Sequence, residues 1–178
     1  MKSLLTLQDI IYLLEQQERL DADIRKEFNI NPVQWVHMDD EHITALSVEL
    51  HEFFNETRAF KYWSKKPVNR KNLIEEAVDV IHFIMLNVNK SGKQHFFLDC
   101  YHDYVLMGDK NPLENKDEVV SLMVEMITAP EVHFREDLDG LLHDVLRILD
   151  FYDFDRKQIM DAYKDKNKVN FERLADGY

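Results

Sequence analysis

The chain has 178 residues, of which 45% are hydrophobic and 31% charged, and such proportions are typical of one globular domain with a packed core. The formal net charge of −12 argues against general nucleic-acid binding, and no uncharged apolar run is long enough for a membrane span. The single cysteine excludes an internal disulfide and a paired-cysteine zinc site, which suits a cytoplasmic location.

Apolar residues recur with helical spacing along most of the chain, while the four prolines fall between the periodic segments. No alternating pattern of strand length competes with them. The predicted helices cover residues 6–29, 39–57, 70–90, 94–107, 116–128, 135–151 and 155–167. We therefore predict an all-α helical bundle that forms one domain over residues 1–178.

The first predicted helix has an apolar stripe that two polar residues, Gln17 and Asp21, interrupt near its middle. Burying such side chains without partners would cost on the order of 1–3 kcal/mol each. Two interpretations follow from this pattern. Either the stripe faces water at this point, or Gln17 and Asp21 line a polar pocket.

The second and third predicted helices carry acidic pairs. Glu49 and Glu52 share one face of helix 39–57, beside an apolar stripe. Helix 70–90 is apolar on nearly every side, as expected for the centre of a bundle, yet Glu76 and Asp79 share one of its faces. Buried carboxylates need a cation, either a basic side chain or an oxygen-seeking metal such as Mg²⁺. If the two helices are antiparallel, the two pairs can face each other.

Two basic segments accompany these acidic helices. The stretch from Arg58 to Lys71 contains six basic residues and no acidic one. A second cluster lies in the C-terminal sequence YKDKNKVNFERLADGY. Oxygen ligands for a metal, combined with basic side chains for phosphate, are typical of a site for nucleotide polyphosphates.

The spacing Glu49-x-x-Glu52, then 23 residues, then Glu76-x-x-Asp79 resembles the metal signature of the all-α nucleoside triphosphate pyrophosphatases. Further segments resemble the dimeric dUTPases in particular, over roughly residues 10–90 and 160–178. They are QERLDADI, FKYW, VDVIHF and the C-terminal sequence quoted above.

This resemblance implies hydrolysis of dUTP, and of dUDP as well, to dUMP by a homodimer that uses two or more Mg²⁺ ions per site. Glu49, Glu52, Glu76 and Asp79 would be the metal ligands, and Glu49 the catalytic base. Gln17, Trp63 and Phe83 would contact base and sugar, and Lys166, Asn170 and Arg173 the phosphates. Asp21, Lys61 and Tyr178 are further candidates for substrate contact.

Several alternatives stay open at this point. Related enzymes from phages prefer dCTP, and a bacterial or a phage origin is equally compatible with the sequence. Residues 91–153 match no motif and could form a cap or additional packing. His82 and the pairs His102-Asp103 and His143-Asp144 allow an HD-type metal phosphohydrolase, and an acidic helical adaptor is the alternative without enzymatic activity.

Overall fold

The computed structural model describes residues 1–107, 112–128 and 137–177, and within these ranges all regular secondary structure is helical. The all-α prediction is therefore confirmed. The helices are α1 (Leu7–Glu27), α2 (Pro32–Val36), α3 (Asp39–Thr57), α4 (Arg70–Ser91), α5 (Gln94–Met107), α6 (Lys116–Thr128), α7 (Leu138–Phe151) and α8 (Arg156–Asp176).

The last helix differs most from its prediction, because α8 continues to Asp176 and the prediction ended at 167. Its C-terminal half is rich in charged residues and has a weak apolar stripe, so periodicity alone underestimated its length. Capping residues at its two ends define the limits of this helix instead. Asp155 forms a capping box with Gln158, and Gly177 ends the helix with a φ of 87°. The short helix α2, capped by Asn31, was not predicted.

Helices α3 and α4 form an antiparallel hairpin, and α4 is the central helix, in contact with α1, α3, α5, α7 and α8. At one end of the hairpin, Lys90 of α4 lies 2.6 Å from the Asp39 carboxylate of α3. At the other end, Thr57 and Arg70 flank the connecting loop of residues 58–69. This register sets Glu49 and Glu52 of α3 opposite Asp79 and Glu76 of α4. Buried apolar side chains of both helices lie beneath them.

Helices α1 and α8 pack together on α4, and they run parallel to each other. The Asp9 carboxylate binds Arg156 at 2.6 Å, and further along both helices the Tyr163 hydroxyl donates to the Leu13 carbonyl at 3.3 Å. Helix α4 runs antiparallel to α1, since Asn89 donates to the Leu14 carbonyl at 2.9 Å, while His82, earlier in α4, contacts Gln17, later in α1. The middles of α1, α4 and α8 therefore meet in one region.

Helices α5, α6 and α7 contribute side chains such as Phe97, Tyr101, Val119 and Leu141 to the same core cluster. The role of residues 91–153 as a cap remains a prediction. Residue 135, where the sixth predicted helix begins, lies outside the described residues. None of the described helices is both long and apolar enough to span a bilayer.

Candidate metal centre and substrate pocket

Three carboxylates from the central hairpin converge on one point. Glu49 of α3 and Glu76 and Asp79 of α4 each offer an oxygen atom, and these atoms all lie within 4.8 Å of one another. All three side chains are half-buried. Glu52 is exposed at the edge of this acid cluster, and its charge acts on each of the three. Of the four predicted metal ligands, the structure thus brings three together and places the fourth beside them.

Burial and mutual repulsion both disfavour the ionised forms of the carboxylates in the acid cluster. Burial raises the pKa of Glu49 to about 7, with further increases from the charges of Asp79, Glu52 and Glu76. Burial also raises the pKa values of Glu76 and Asp79, and in both cases neighbouring carboxylates add to the effect. The cluster therefore favours any bound cation that neutralises it.

One internal cation already contacts the cluster. The Lys166 ammonium of α8 lies 2.5 Å from the Asp79 carboxylate and lowers its pKa, partly offsetting burial. Arg173, two turns further along α8, lowers the pKa of Asp79 as well. Within the described ranges, Glu49, Glu52 and Glu76 form no ion pair with lysine or arginine, so most of the negative charge is left without a basic partner.

The residues present fit a divalent ion. Mg²⁺ prefers carboxylate oxygens at 2.0–2.1 Å, so ligands on opposite sides of the ion lie about 4 Å apart. A group whose oxygens are all within 4.8 Å of one another needs only small side-chain adjustments to reach that geometry. The acid cluster can therefore hold a metal such as Mg²⁺ through Glu49, Glu76 and Asp79.

A second polar group lies one turn further along α4 and is almost fully enclosed. The Gln17 amide donates to Asp21 at 2.7 Å, and its carbonyl oxygen lies 2.7 Å from Nδ1 of His82. The His82 ring stacks on Tyr163 at 4.2 Å. Gln17 is 3% exposed and Asp21 only 1%, so the interpretation in which the α1 stripe faces water is wrong.

Two atoms of this buried network, Oδ2 of Asp21 and Nε2 of His82, have no hydrogen-bond partner, and neither does Oδ1 of the buried Asn167, one turn beyond Tyr163 on α8. Because the Gln17 amide nitrogen faces Asp21, its oxygen must accept the proton of His82 Nδ1. Burial lowers the pKa of His82 to about 3, so the ring is neutral and Nε2 is an acceptor. Nε2 of His82 and Oδ1 of Asn167 are therefore acceptors for ligand N–H or O–H groups, and Oδ2 of Asp21 is an acceptor when its carboxyl group is ionised.

The comparison with known families agrees with this geometry. A family model described as dUTPase matches residues 9–178, which is nearly the whole chain. The chain belongs to the all-α dUTPase family. No match was found among curated proteins. Membership in a family of dUTP hydrolases indicates an enzyme that acts on a nucleotide, and the carboxylates on α3 and α4 lie within the matched region.

The other residues predicted to contact the substrate lie in different surroundings. Phe83 is half-buried and packs against the core. Trp63 lies in the 58–69 loop, is 65% exposed, and packs edge-on against Tyr62 at 5.0 Å. Lys61, in the same loop, donates to the Asn55 side chain. None of these contacts joins the loop to the acid cluster.

On α8, Asn170 is half-buried and Arg173 exposed, and both share the face of the helix that carries Lys166. Lys166, expected at the phosphates, contacts Asp79. Tyr178 lies outside the described residues. Sequence reasoning named His82 only for the HD-type alternative, and it assigned neither His82 nor Asn167 to a substrate pocket. Only their positions in the sequence could have indicated a role in the site: His82 follows Asp79 by one helical turn, and Asn167 is next to Lys166.

The histidine–aspartate pairs form no comparable centre. In the described part of the chain, the acid cluster is the one group of three or more potential ligands whose atoms converge. His143 stacks on Tyr104 at 4.1 Å, and His102 is exposed on α5. The geometry therefore gives no support to the HD-type alternative.

Proposed function

We propose that this member of the dUTPase family hydrolyses dUTP, and dUDP, to dUMP in a Mg²⁺-dependent reaction. Glu49, Glu52, Glu76 and Asp79 are the proposed metal ligands. The observation that carries the proposal is the convergence of oxygen atoms from Glu49, Glu76 and Asp79 within 4.8 Å on two facing helices. Half-buried carboxylates in this arrangement are destabilising unless a cation is bound, so their presence indicates a binding function.

The chain's own side chains would supply positioning and proton transfer. Bound Mg²⁺ would neutralise phosphate oxygens and activate water. Glu49, which faces the α4 carboxylates, would accept the proton of the attacking water. Lys166, Asn170 and Arg173 recur at helical spacing on one face of α8, and that face reaches the acid cluster through Lys166. This row would bind the phosphates and orient the scissile bond.

The buried network would recognise the base and sugar. Gln17 is held by two hydrogen bonds, which leaves the acceptors of Asp21, His82 and Asn167 free for a donor on the ligand. Uracil offers its N3–H and deoxyribose its 3′ hydroxyl. Phe83 would pack against the ring of the base.

One observation supports a second substrate, dCTP, as well as dUTP. The free Oδ2 of Asp21 is an acceptor when ionised, and a carboxylate accepts well from the exocyclic amino group of cytosine. The same oxygen would accept from N3–H of uracil. The two substrates therefore compete for one group, and direct comparison of dUTP with dCTP is part of the test.

We further propose a homodimer, as the family resemblance implies, in the cytoplasm, which the single cysteine suits. Phe60, Tyr62 and Trp63 form an exposed aromatic patch on the 58–69 loop, with Tyr62 93% exposed. Such a patch would be covered either by a partner chain or by substrate. Light scattering on the purified protein should give twice the chain mass of 21.3 kDa.

The decisive assay follows pyrophosphate and phosphate release from a panel of deoxynucleoside di- and triphosphates. We expect pyrophosphate from dUTP with Mg²⁺ present and none after EDTA addition. Turnover of dCTP alone would move the assignment to the second candidate. Failure to hydrolyse either nucleotide would remove the proposal, and activity that requires His102 and Asp103 would establish the HD-type alternative. A stable protein complex without any response to divalent ions would favour the adaptor.

A further inference from the structure

Tyr152, immediately after α7, contacts both ends of the loop that joins the carboxylate helices. Its hydroxyl donates to the Thr57 carbonyl at 2.6 Å, and Thr57 is the last residue of α3. Its own carbonyl accepts from the guanidinium of Arg70, the first residue of α4. The same guanidinium donates to the Asp153 carbonyl at 3.0 Å and lies 4.1 Å from the centre of the Phe154 ring.

These contacts join the two helices at the loop end of the hairpin. Thr57 is at a helix C-terminus, so its carbonyl has no partner within the helix, and the Tyr152 hydroxyl supplies one. The loop between the two helices is mostly exposed and carries the aromatic patch. Tyr152 thus links the C-terminus of α3 to the N-terminus of α4, in addition to the packing of buried side chains between the two helices.

The acid cluster lies close enough to these contacts for its geometry to depend on them. Glu49 on α3 and Glu76 on α4 are separated from the ends of the hairpin by roughly 9 to 12 Å of helix. A slip of one helical residue along the other would displace the facing oxygens by about 1.5 Å. A Mg²⁺ site accepts deviations of only a few tenths of an ångström in its ligand distances.

We propose that Tyr152 is a positioning residue for the reaction, because its hydroxyl and carbonyl hold α3 and α4 in the register that brings Glu49 to Glu76 and Asp79. The part of this proposal that concerns catalysis rests on the proposed function. Its effect on metal binding can be measured without substrate.

The surroundings of Tyr152 make it a rigid point of attachment. The chain turns at Asp153 with a left-handed φ of 60°. Lys2 binds the Asp153 carboxylate at 2.6 Å, and the Arg156 amide donates to the Lys2 carbonyl at 2.8 Å. Partial burial raises the pKa of Tyr152 to about 12, so its hydroxyl stays a donor at working pH.

The test replaces the hydroxyl alone, with Tyr152→Phe, and measures Mg²⁺ binding by calorimetry in the full-length protein. We expect the Mg²⁺ dissociation constant to rise about two- to tenfold, the range expected for one lost hydrogen bond. At saturating Mg²⁺, kcat should fall while the KM for dUTP stays within about twofold, since the substrate pocket is unaltered.

Tyr101→Phe is the matched control. Tyr101 is buried and its hydroxyl donates to the Leu5 carbonyl at 3.2 Å, so the variant deletes a similar bond away from the hairpin. It should lower the melting temperature without changing Mg²⁺ affinity. Equal Mg²⁺ affinity in Tyr152→Phe and the wild type, or equal losses in both tyrosine variants, would overturn the proposal.

A second variant guards against a fold defect in Tyr152→Phe. Arg70→Lys keeps the positive charge but loses the paired donation to the carbonyls of Tyr152 and Asp153. We expect the same weakening of Mg²⁺ binding, and normal affinity in this variant would count against the proposal. A wild type that binds Mg²⁺ but hydrolyses neither dUTP nor dCTP would remove the proposed function and leave the inference on register standing.

Discussion

The acid cluster and the buried polar network lie side by side on α4, yet they differ in how their polar groups are satisfied. In the acid cluster, Glu49, Glu76 and Asp79 repel one another and contact one lysine. In the network, Gln17 and His82 are neutral, and Asp21 is the one group that can carry a charge near neutral pH. Hydrogen bonds join the three side chains. The first group lacks positive charge and the second lacks donors.

That difference teaches what each region can bind. Half-buried like charges call for a cation, and enclosed acceptors call for N–H or O–H groups. A deoxynucleotide accompanied by Mg²⁺ supplies both at once, at neighbouring points along one helix. Variants that alter one region and spare the other should therefore separate metal-dependent chemistry from recognition of the base.

The largest effect is expected at the acid cluster. Glu76→Gln removes one negative oxygen donor from a converging set, and kcat should fall about a hundredfold or more because the metal is held poorly. Glu75→Gln is the matched control, since Glu75 is the exposed neighbour and only approaches Lys71 at 3.7 Å. Steady-state pyrophosphate release measures both. Similar rates for Glu76→Gln and the wild type would contradict the assignment of the cluster.

A smaller loss is expected on α8. Lys166→Met removes the ammonium that contacts Asp79 and faces the proposed phosphates, and kcat/KM should fall roughly tenfold or more. Lys168→Met provides the comparison, because Lys168 is exposed and lies 3.7 Å from Glu172 on the same helix. If both lysine variants lose activity equally, α8 contributes only general positive charge.

An effect on substrate affinity alone is expected in the network. Gln17→Leu breaks the bonds to Asp21 and His82, so the KM for dUTP should rise about tenfold while kcat changes little. Gln16→Leu alters the adjacent, half-buried glutamine outside the network and should leave KM nearly unchanged. Mg²⁺ affinity should be normal in both. A large fall in kcat without a rise in KM would place Gln17 in the chemical step instead.

The smallest effect is a change in the pH dependence of stability. Burial raises the pKa of Asp21 to about 7 from 3.8, so the folded protein binds this proton more tightly than the unfolded chain. Stability from this group is present at low pH and is lost as pH rises through about 7.

Asp21→Asn keeps an acceptor for Gln17 and cannot ionise. Between pH 5 and 8, with EDTA present, its free energy of unfolding should fall by on the order of 1 kcal/mol less than that of the wild type. Urea unfolding followed by circular dichroism measures the two slopes. Identical slopes would show that Asp21 ionises in the folded protein as readily as in water.

The sequence predicted the helices that carry strong periodicity, and α3 at 39–57 agrees to the residue. The acidic pairs on α3 and α4 stood out because charge on an apolar central helix requires explanation. The C-terminal half of α8 was missed, since its amphipathic pattern is weak and its caps define its ends. Short helix α2 was too brief for a periodic signal.

Contacts between distant segments could not be predicted in the same way. The stacking of His82 on Tyr163 and the contact of Lys166 with Asp79 both depend on how α8 packs against α4. The position of Tyr152 between Thr57 and Arg70 likewise arises only in the folded chain. The resemblance to dUTPases identified candidate residues, but only the folded structure shows which of them lie close together.

Calorimetric titration of the metal-free protein with Mg²⁺ at pH 6.5, in two buffers of different ionisation enthalpy, tests the central claim most directly. Because the pKa of Glu49 is about 7 without metal, binding should displace protons, and the measured heat should depend on the buffer. Both the binding and the proton release should be lost or strongly reduced in Glu49→Gln. Absence of Mg²⁺ binding, or binding that is unchanged in Glu49→Gln and Glu76→Gln, would contradict the account.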